Sequence, residues 1–161
     1  MFLGPGDGTS LDFGFSSLRI LLRADDTGGA FGLTEQPLEA GALAGPLHVH
    51  AREAGFFYVL EGQIGVQVGD DVVLAERGSV VSVPRGVRHT FWNPGDVPAR
   101  VLEFFAPAGF EHWFEELAGF MSADAPDIEA IVESAGRFGT DIDFESLPQL
   151  IERHGLHFPT S

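Results

Sequence analysis

The chain has 161 residues, enough for one domain with a closed hydrophobic core, and 44% of them are hydrophobic, which excludes an intrinsically disordered polypeptide. Its formal net charge of −15 disfavours binding to nucleic acid or to an anionic membrane face, and the same charge also favours solubility. The absence of cysteine excludes disulfides, thiolate metal sites and cysteine nucleophiles, so a metal ion would need nitrogen or oxygen ligands.

The N-terminal segment, residues 1–10, has neither a basic start nor an apolar stretch, which argues against a signal peptide. No apolar run approaches the ~20 residues needed to span a bilayer. We therefore expect a cytoplasmic protein. Residues 1–12 are expected to form a flexible tail.

Short strand-like segments follow, each apolar or alternating and bounded by Gly, Asp or Pro. They cover residues 18–23, 31–35, 47–50, 56–60, 64–68, 72–75, 80–83, 90–92 and 100–105. This spacing predicts an antiparallel sandwich or barrel over residues 13–106. Because no internal repeat is visible, we expect one barrel and not a tandem pair.

Apolar residues recur at helical spacing after Pro107 and predict three helices. The three stripes contain Phe110, Phe114, Leu117 and Met121; Ile128, Ile131, Val132 and Ala135; and Leu147, Leu150 and Ile151. Asp124 and Pro126 are placed to start the second helix, and Gly155 is placed to end the third. Residues 107–161 are therefore predicted to be a helical extension that packs on the barrel or on a dimer partner.

Three histidines in two separate segments suggest a metal site. His48 and His50 lie on one predicted strand, and side chains at i and i+2 share a face, although such a pair also occurs by chance on strand surfaces. In the second segment, residues 78–93, a strand leads into a turn with Pro84 and Gly86, and a new strand begins at His89. We expect the turn to direct His89 back across the barrel.

The two segments together resemble the paired motifs of the cupin superfamily. The second has the family's spacing throughout, and the first has its two histidines and closing glycine; the matching residues are Gly78, Pro84, Gly86, His89, Asn93, His48, His50 and Gly62. The resemblance covers residues 13–106 and implies an all-β fold with a single jelly-roll barrel, also called a double-stranded β-helix. The segment from Pro107 also resembles the small single-domain cupins often called quercetin 2,3-dioxygenase-like.

This resemblance implies that His48, His50 and His89 bind one divalent transition-metal ion. Imidazole nitrogen suits Fe, Mn, Ni, Cu, Co and Zn alike, so the ligand set leaves the metal open. A non-metallic alternative is a barrel in which the three histidines only pack.

One metal-binding residue that is usual in cupins is missing from this sequence. The first cupin motif usually has a Glu seven residues before its closing Gly, and that position here is Gly55. Glu53 lies two residues upstream, ~6.6 Å away by strand rise, and could reach the metal only if residues 51–54 fold inward; we expect it to be solvated. In flavonol-cleaving relatives the missing Glu is thought to remove the substrate proton, so the resemblance does not extend to that chemistry. Three-histidine relatives include diketone-, gentisate- and thiol-oxidising dioxygenases.

Strand parity indicates which apolar residues could line a substrate cavity. Phe57 and Val59 share parity with position 55, and Phe91 shares parity with His89, which would suit an aromatic or otherwise hydrophobic substrate. Ordinary barrel packing explains each of these residues equally well.

We expect the remaining polar and aromatic candidates to be surface or interface residues without a role in the site. Arg52, Arg85 and Arg88 could pair with an anionic substrate, but we expect them to form surface ion pairs. Trp92 should face outward by strand parity, where a subunit interface could cover it. The histidines of the extension, His112, His154 and His157, are expected at the surface or an interface.

The sequence thus favours a mononuclear metal-dependent dioxygenase acting on a small enolisable or aromatic compound, with its catalytic residues unidentified. The alternatives are a non-oxidative isomerase, cyclase or decarboxylase that uses the metal as a Lewis acid, and a cupin that binds a small ligand without turnover. Exposed strand edges of a single small barrel also favour pairing with a second copy, so a homodimer is expected.

Overall fold

The computed structural model of the chain describes residues 1–14, 16–122 and 127–158. Two antiparallel sheets form the predicted barrel. The six-stranded sheet contains, in spatial order, β1 (Thr9–Asp12), β2 (Ser17–Leu22), β3 (Gly32–Leu38), β10 (Ala99–Ala106), β5 (Ala54–Glu61) and β8 (Val80–Val83). The five-stranded sheet contains β11 (Thr140–Asp143), β4 (Leu47–His50), β9 (His89–Trp92), β6 (Gln63–Val68) and β7 (Asp71–Glu76). The predicted all-β fold class is therefore confirmed.

The main core lies between the two sheets. It joins Phe57 and Val101 of the six-stranded sheet to Ile64, Val66 and Phe91 of the five-stranded sheet. Since successive side chains of a strand point to opposite faces, the inward set of each strand is fixed once one member is buried. Strand β10 shows this most clearly, because every second residue along it is buried.

The extension after the barrel is helical, as its three apolar stripes predict. It contains α2 (Glu111–Met121), α3 (Ile128–Arg137) and α4 (Leu147–His154), after the short helix α1 (Ala24–Thr27) earlier in the chain, and a 3-10 turn at Phe144–Ser146. Asp127 caps α3 by accepting a hydrogen bond from the Ala130 N–H at 3.1 Å. Asp124 and Pro126, which we predicted to start this helix, lie outside the described residues. In the described ranges no helix has both the length and the hydropathy to cross a membrane.

The extension packs on its own barrel, which is the first of the two arrangements that the sequence left open. Helices α2 and α3 cover one end of the barrel, where Phe105 contacts Phe110, Trp113 and Ile131. Helix α2 also packs on the outer strand β2, through Leu117 and its neighbours.

Helix α4 covers Trp92, which differs from the subunit interface expected around that residue. The Trp92 ring lies outside the barrel core, as its parity predicts, but Leu150 and Leu156 bury it and His154 stacks on it with ring centroids 4.2 Å apart. The prediction that Trp92 faces a subunit interface is therefore wrong, because the same chain covers the ring.

Residues at the start of the chain also differ from the prediction. Thr9–Asp12, which we placed in a flexible tail, form β1 and pair with β2 in the register Thr9↔Ile20 to Asp12↔Ser17. The six-stranded sheet therefore begins inside the segment that we assigned to the tail.

Candidate metal centre

The three predicted histidines lie together at one end of the barrel. Strand β4 carries His48 and His50, and β9 begins at His89, which pairs directly with His48. The ring centroids of His48 and His89 are 4.3 Å apart, and those of His50 and His89 are 5.3 Å apart. One nitrogen from each ring lies within 4.8 Å of the other two, a spacing that a single metal ion can bridge.

The backbone between the two histidine segments explains this convergence. Gly86 has φ of +72°, a left-handed conformation that residues other than glycine adopt at a cost. Its N–H donates to the His50 carbonyl at 2.8 Å, and the N–H of Val87 donates to the Pro84 carbonyl. The turn before β9 is thereby held against the end of β4, which places His89 beside the other two histidines.

Hydrogen bonds at Nδ1 fix the orientation of all three rings. The Nδ1 atoms of His48 and His89 lie 2.9 Å and 3.0 Å from the carbonyl oxygens of Pro46 and Val87. A carbonyl oxygen only accepts, so in the neutral rings Nδ1 carries the hydrogen and Nε2 keeps its lone pair. His50 Nδ1 lies 3.0 Å from the Thr140 hydroxyl, which can accept in the same way. Partners of this kind orient the ligands of metal sites.

The electrostatics of the centre keep these rings neutral. Burial, reinforced by neighbouring imidazoles, lowers the pKa of His50 to about 2 and that of His89 to about 3. Burial also lowers the pKa of His48. Neutral imidazole is the metal-binding form, so the site can accept a cation near neutral pH without first releasing protons.

The Nε2 atoms of His50 and His89 are buried and, within the described residues, have no hydrogen-bond partner. A buried acceptor without a partner is costly, and a metal ion would satisfy both nitrogens at once. The residues present therefore fit a divalent transition-metal ion held by the Nε2 atoms of His48, His50 and His89.

Thr140, which sequence reasoning missed, orients the candidate ligand His50 through a hydrogen bond. We expect Thr140→Val to weaken Zn²⁺ binding by about 10- to 100-fold, because the His50 ring loses the acceptor for its Nδ1 hydrogen. Competition titration of the metal-free protein with a chelator measures the change. Thr34→Val is the matched control, since Thr34 is buried but its hydroxyl faces the Glu103 carbonyl. Equal affinities for the Thr140 and Thr34 variants would contradict the role.

Glu53 does not occupy the position expected for it. Its side chain is buried, at 5% exposure, so the expectation of a solvated Glu53 is wrong. Its Oε2 lies 3.9 Å from Nδ1 of His50, and Nδ1 is the side of the ring turned away from Nε2. Glu53 therefore adjoins the hydrogen-bonded side of His50 and is not grouped with the three converging nitrogens.

The position of the missing family carboxylate lies inside the barrel. Gly55 is buried on β5 and pairs with Phe105 on one side and Val83 on the other. A Cβ built on Gly55 would meet only the Val83 side chain, at 3.7 Å, which is an ordinary van der Waals contact. The candidate ligands of the described chain are accordingly three neutral imidazoles without a carboxylate.

An apolar cavity of about 250 Å³ adjoins His48 and His50. The barrel contributes Phe91 and Phe105, and the extension contributes the aromatic and aliphatic side chains of α2 and α3. Of the predicted lining residues, Phe91 lies on the cavity wall, whereas Phe57 and Val59 lie in the packed core behind it. The extension is therefore part of the site.

The three candidate arginines do not line this cavity. Arg52, Arg85 and Arg88 are exposed, and Arg88 forms an ion pair with Asp143 at 2.6 Å. The simpler interpretation, a surface ion pair, therefore holds for Arg88.

Glu103 is the cavity residue that sequence reasoning missed most clearly. It lies in the middle of β10, is 4% exposed, and contributes to the cavity wall. Burial raises the pKa of its carboxyl to about 8. The sequence did carry a signal, because Glu103 shares strand parity with the apolar residues Val101 and Phe105.

Comparison with known proteins agrees with this architecture. Residues 35–105, which include all three histidines, match the family described as "Cupin domain". The crystal structure of an RmlC-like cupin from Shewanella frigidimarina superposes with a TM-score of 0.58 at 21% identity, over 69% of this chain and 94% of that chain. This likeness shows the fold. The narrower assignment to the quercetin 2,3-dioxygenase-like group stays a prediction.

Two curated relatives are similar over the barrel. The chain is 37% identical over 84 residues to the probable oxidoreductase virH of Hypocrea virens, a match that covers 50% of this chain and 38% of virH. It is 33% identical over 91 residues to the tetracenomycin polyketide synthase protein TcmJ of Streptomyces glaucescens, covering 56% of this chain and 61% of TcmJ. The matches thus span less than two thirds of either relative.

Proposed function

We propose that this chain, a member of the cupin superfamily, binds one divalent transition-metal ion on His48, His50 and His89 and oxidises a small aromatic or enolisable molecule with dioxygen. The observation that carries the proposal is that three neutral imidazoles converge at the edge of an apolar cavity. The similarity to a protein named as a probable oxidoreductase supports the oxidative reaction.

A bound ion of this kind would supply a redox-active Lewis acid whose positive charge is not offset by a carboxylate ligand. The protein's own part is to hold His48 and His89 in one tautomer through the carbonyls of Pro46 and Val87 and to orient His50 through Thr140. Aromatic side chains reinforce that arrangement, since the Phe110 ring packs edge-on against His50 with centroids 4.2 Å apart. The same apolar wall keeps water away from the reacting end of the cavity.

The cavity lining indicates the charge of the substrate. Among the described residues that line the cavity there is no lysine or arginine, so a phosphate or carboxylate group would enter without a counter-charge from them. The net charge of −15 also repels anions from the molecule as a whole. We therefore infer a neutral or weakly acidic, mostly apolar substrate.

Oxygen uptake with benzoylacetone, a small aromatic diketone, tests the proposal. The protein loaded with Fe²⁺ should consume dioxygen in proportion to the loss of the diketone, at a rate at least tenfold above that of His89→Ala treated identically. Under argon the diketone should persist. Equal loss with and without dioxygen, or equal rates for the two proteins, would contradict the oxidative function.

A non-oxidative reaction is the second candidate, and Glu103 is the observation that favours it. An uncharged carboxylic acid beside the candidate metal site could donate a proton to an enolate without any need for dioxygen. This candidate predicts turnover with redox-inert Zn²⁺ and no oxygen uptake.

The homodimer remains a prediction. Apolar side chains are exposed on β7 and β8, which are edge strands of the two sheets; they are Val72, Val73, Leu74 and Val80. A second copy of the chain would cover them, which is why these exposed edges support the prediction.

A further inference from the structure

Glu103 is a carboxylic acid in a cavity that is lined mostly by apolar and aromatic side chains. It is the sole Asp, Glu, Lys or Arg among the described residues that line the cavity. Among the described residues its carboxyl group has no hydrogen-bond or ion-pair partner; the Thr34 hydroxyl, at 3.5 Å, donates to the backbone carbonyl of Glu103 and not to its side chain. The fold therefore gains no visible stabilisation from this side chain.

Neutral groups surround Glu103 on both neighbouring strands. Across the sheet it pairs with Thr34 on β3 and with Phe57 on β5, and Gln36 of β3 is the next polar residue on the same wall. The other titratable groups on the cavity wall are His48 and His50 of β4. Burial alone, without a charged neighbour, accounts for the raised pKa of about 8.

Burying a carboxyl group without a hydrogen-bond partner normally costs free energy. We therefore expect a bound ligand to supply the partner of Glu103. In its uncharged form it offers one O–H donor and one carbonyl acceptor. The same cavity is also lined by apolar and aromatic side chains of α2, among them Trp113, Phe114 and Leu117. Such a cavity suits a flat apolar body that carries few oxygen atoms.

We propose that Glu103 is a specificity-determining residue that hydrogen-bonds a carbonyl or hydroxyl oxygen of a planar aromatic ligand lying against α2. This inference rests on the proposed function only in taking the cavity as the substrate site. It narrows the substrate class to aromatic compounds with an oxygen substituent that reaches the β10 wall.

Two probes of similar shape test the proposal: 2-acetylnaphthalene, which accepts a hydrogen bond, and 2-ethylnaphthalene, which cannot. Quenching of tryptophan fluorescence measures binding to chelator-treated protein, since Trp113 lies on the cavity wall. At pH 6 the wild-type protein should prefer the ketone by about tenfold, the effect of one hydrogen bond. At pH 9.5, where Glu103 is ionised and cannot donate, that preference should disappear.

The variants separate the hydrogen bond from packing. Glu103→Gln keeps an N–H donor and should keep most of the preference at both pH values. Glu103→Leu should bind both probes equally, and the ethyl probe at least as tightly as wild type does. A preference that survives in Glu103→Leu, the absence of a preference in wild type at pH 6, or failure of both probes to bind wild type would overturn the proposal.

Zinc binding reports on the metal site independently; it is measured on portions of the same proteins that are dialysed against Zn²⁺ after the chelator has been removed. We expect the wild-type protein and both Glu103 variants to bind equal amounts of zinc. Normal probe selectivity in a wild-type protein that binds no added zinc would reject the proposed metal function and leave the role of Glu103 standing. Normal zinc binding without the expected probe selectivity would reject only the role of Glu103.

Discussion

Replacing His89 with alanine should abolish stoichiometric metal binding. The wild-type protein should retain about one Zn²⁺ or Co²⁺ per chain after dialysis, whereas His89→Ala should retain almost none. The reason is that each ring supplies one of the three converging nitrogens, and two imidazoles alone leave the ion exposed to competition from water. We expect the affinity to fall by more than about 100-fold, since changes in the surrounding partners alone cost 10- to 100-fold. Elemental analysis and competition titration measure both quantities.

His112→Ala is the matched control for this experiment. His112 lies on α2, is exposed, and is not part of the converging group. Its loss should leave the metal content unchanged, and circular dichroism should show that both variants are folded. If His89→Ala still held one ion per chain, the three-histidine site would be wrong.

Replacing Phe57 with alanine should cause a large loss of stability. The Phe57 side chain has no exposed surface, and its ring lies 4.6 Å from that of Phe91 across the space between the two sheets. Truncating such a residue leaves a cavity and should lower the free energy of unfolding by about 3–5 kcal/mol. Urea denaturation of the metal-free protein measures this difference.

Tyr58→Ala provides the comparison on the same strand. Tyr58 is the next residue of β5 but points to the opposite face, and it is 38% exposed. Its replacement should cost about 1 kcal/mol or less, in keeping with surface substitutions. Similar losses for the two variants would contradict the assignment of Phe57 to the core between the sheets.

The fold was predictable from the sequence wherever one strand face is apolar. Strands β4 and β8 have the bounds expected from the pattern, and the three helical stripes after Pro107 became α2, α3 and α4. Period-two and period-3.6 patterns record burial directly, which explains this success. Strands β1 and β11 lack such a pattern, because their pairing depends on backbone hydrogen bonds to β2 and β4 rather than on an apolar face of their own.

The site was predictable to the extent that it follows strand parity. The i, i+2 spacing of His48 and His50 and the turn before His89 were sufficient to expect their convergence. The burial of Glu53 was not predictable, because it depends on the path of an irregular segment between β4 and β5. Thr140 could not be identified either, since nothing local in its sequence shows that β11 pairs with the strand that carries His50.

Glu103 shows a different limit. Its inward position follows from the alternation along β10, so parity alone could have placed it in the barrel. What the sequence could not supply was the cavity, which forms only when α2 and α3 close the end of the barrel. The role of Glu103 therefore depends on how the extension that follows β10 packs against the barrel, which the sequence of β10 does not show.

X-ray absorption spectroscopy of the protein loaded with Zn²⁺ examines the imidazole cluster most directly. The spectrum should show three imidazole nitrogens at about 2.0–2.1 Å from the metal, with any remaining ligands supplied by oxygen. An ion surrounded only by oxygen atoms, or a spectrum that does not change in His89→Ala, would contradict a metal centre built from these three rings.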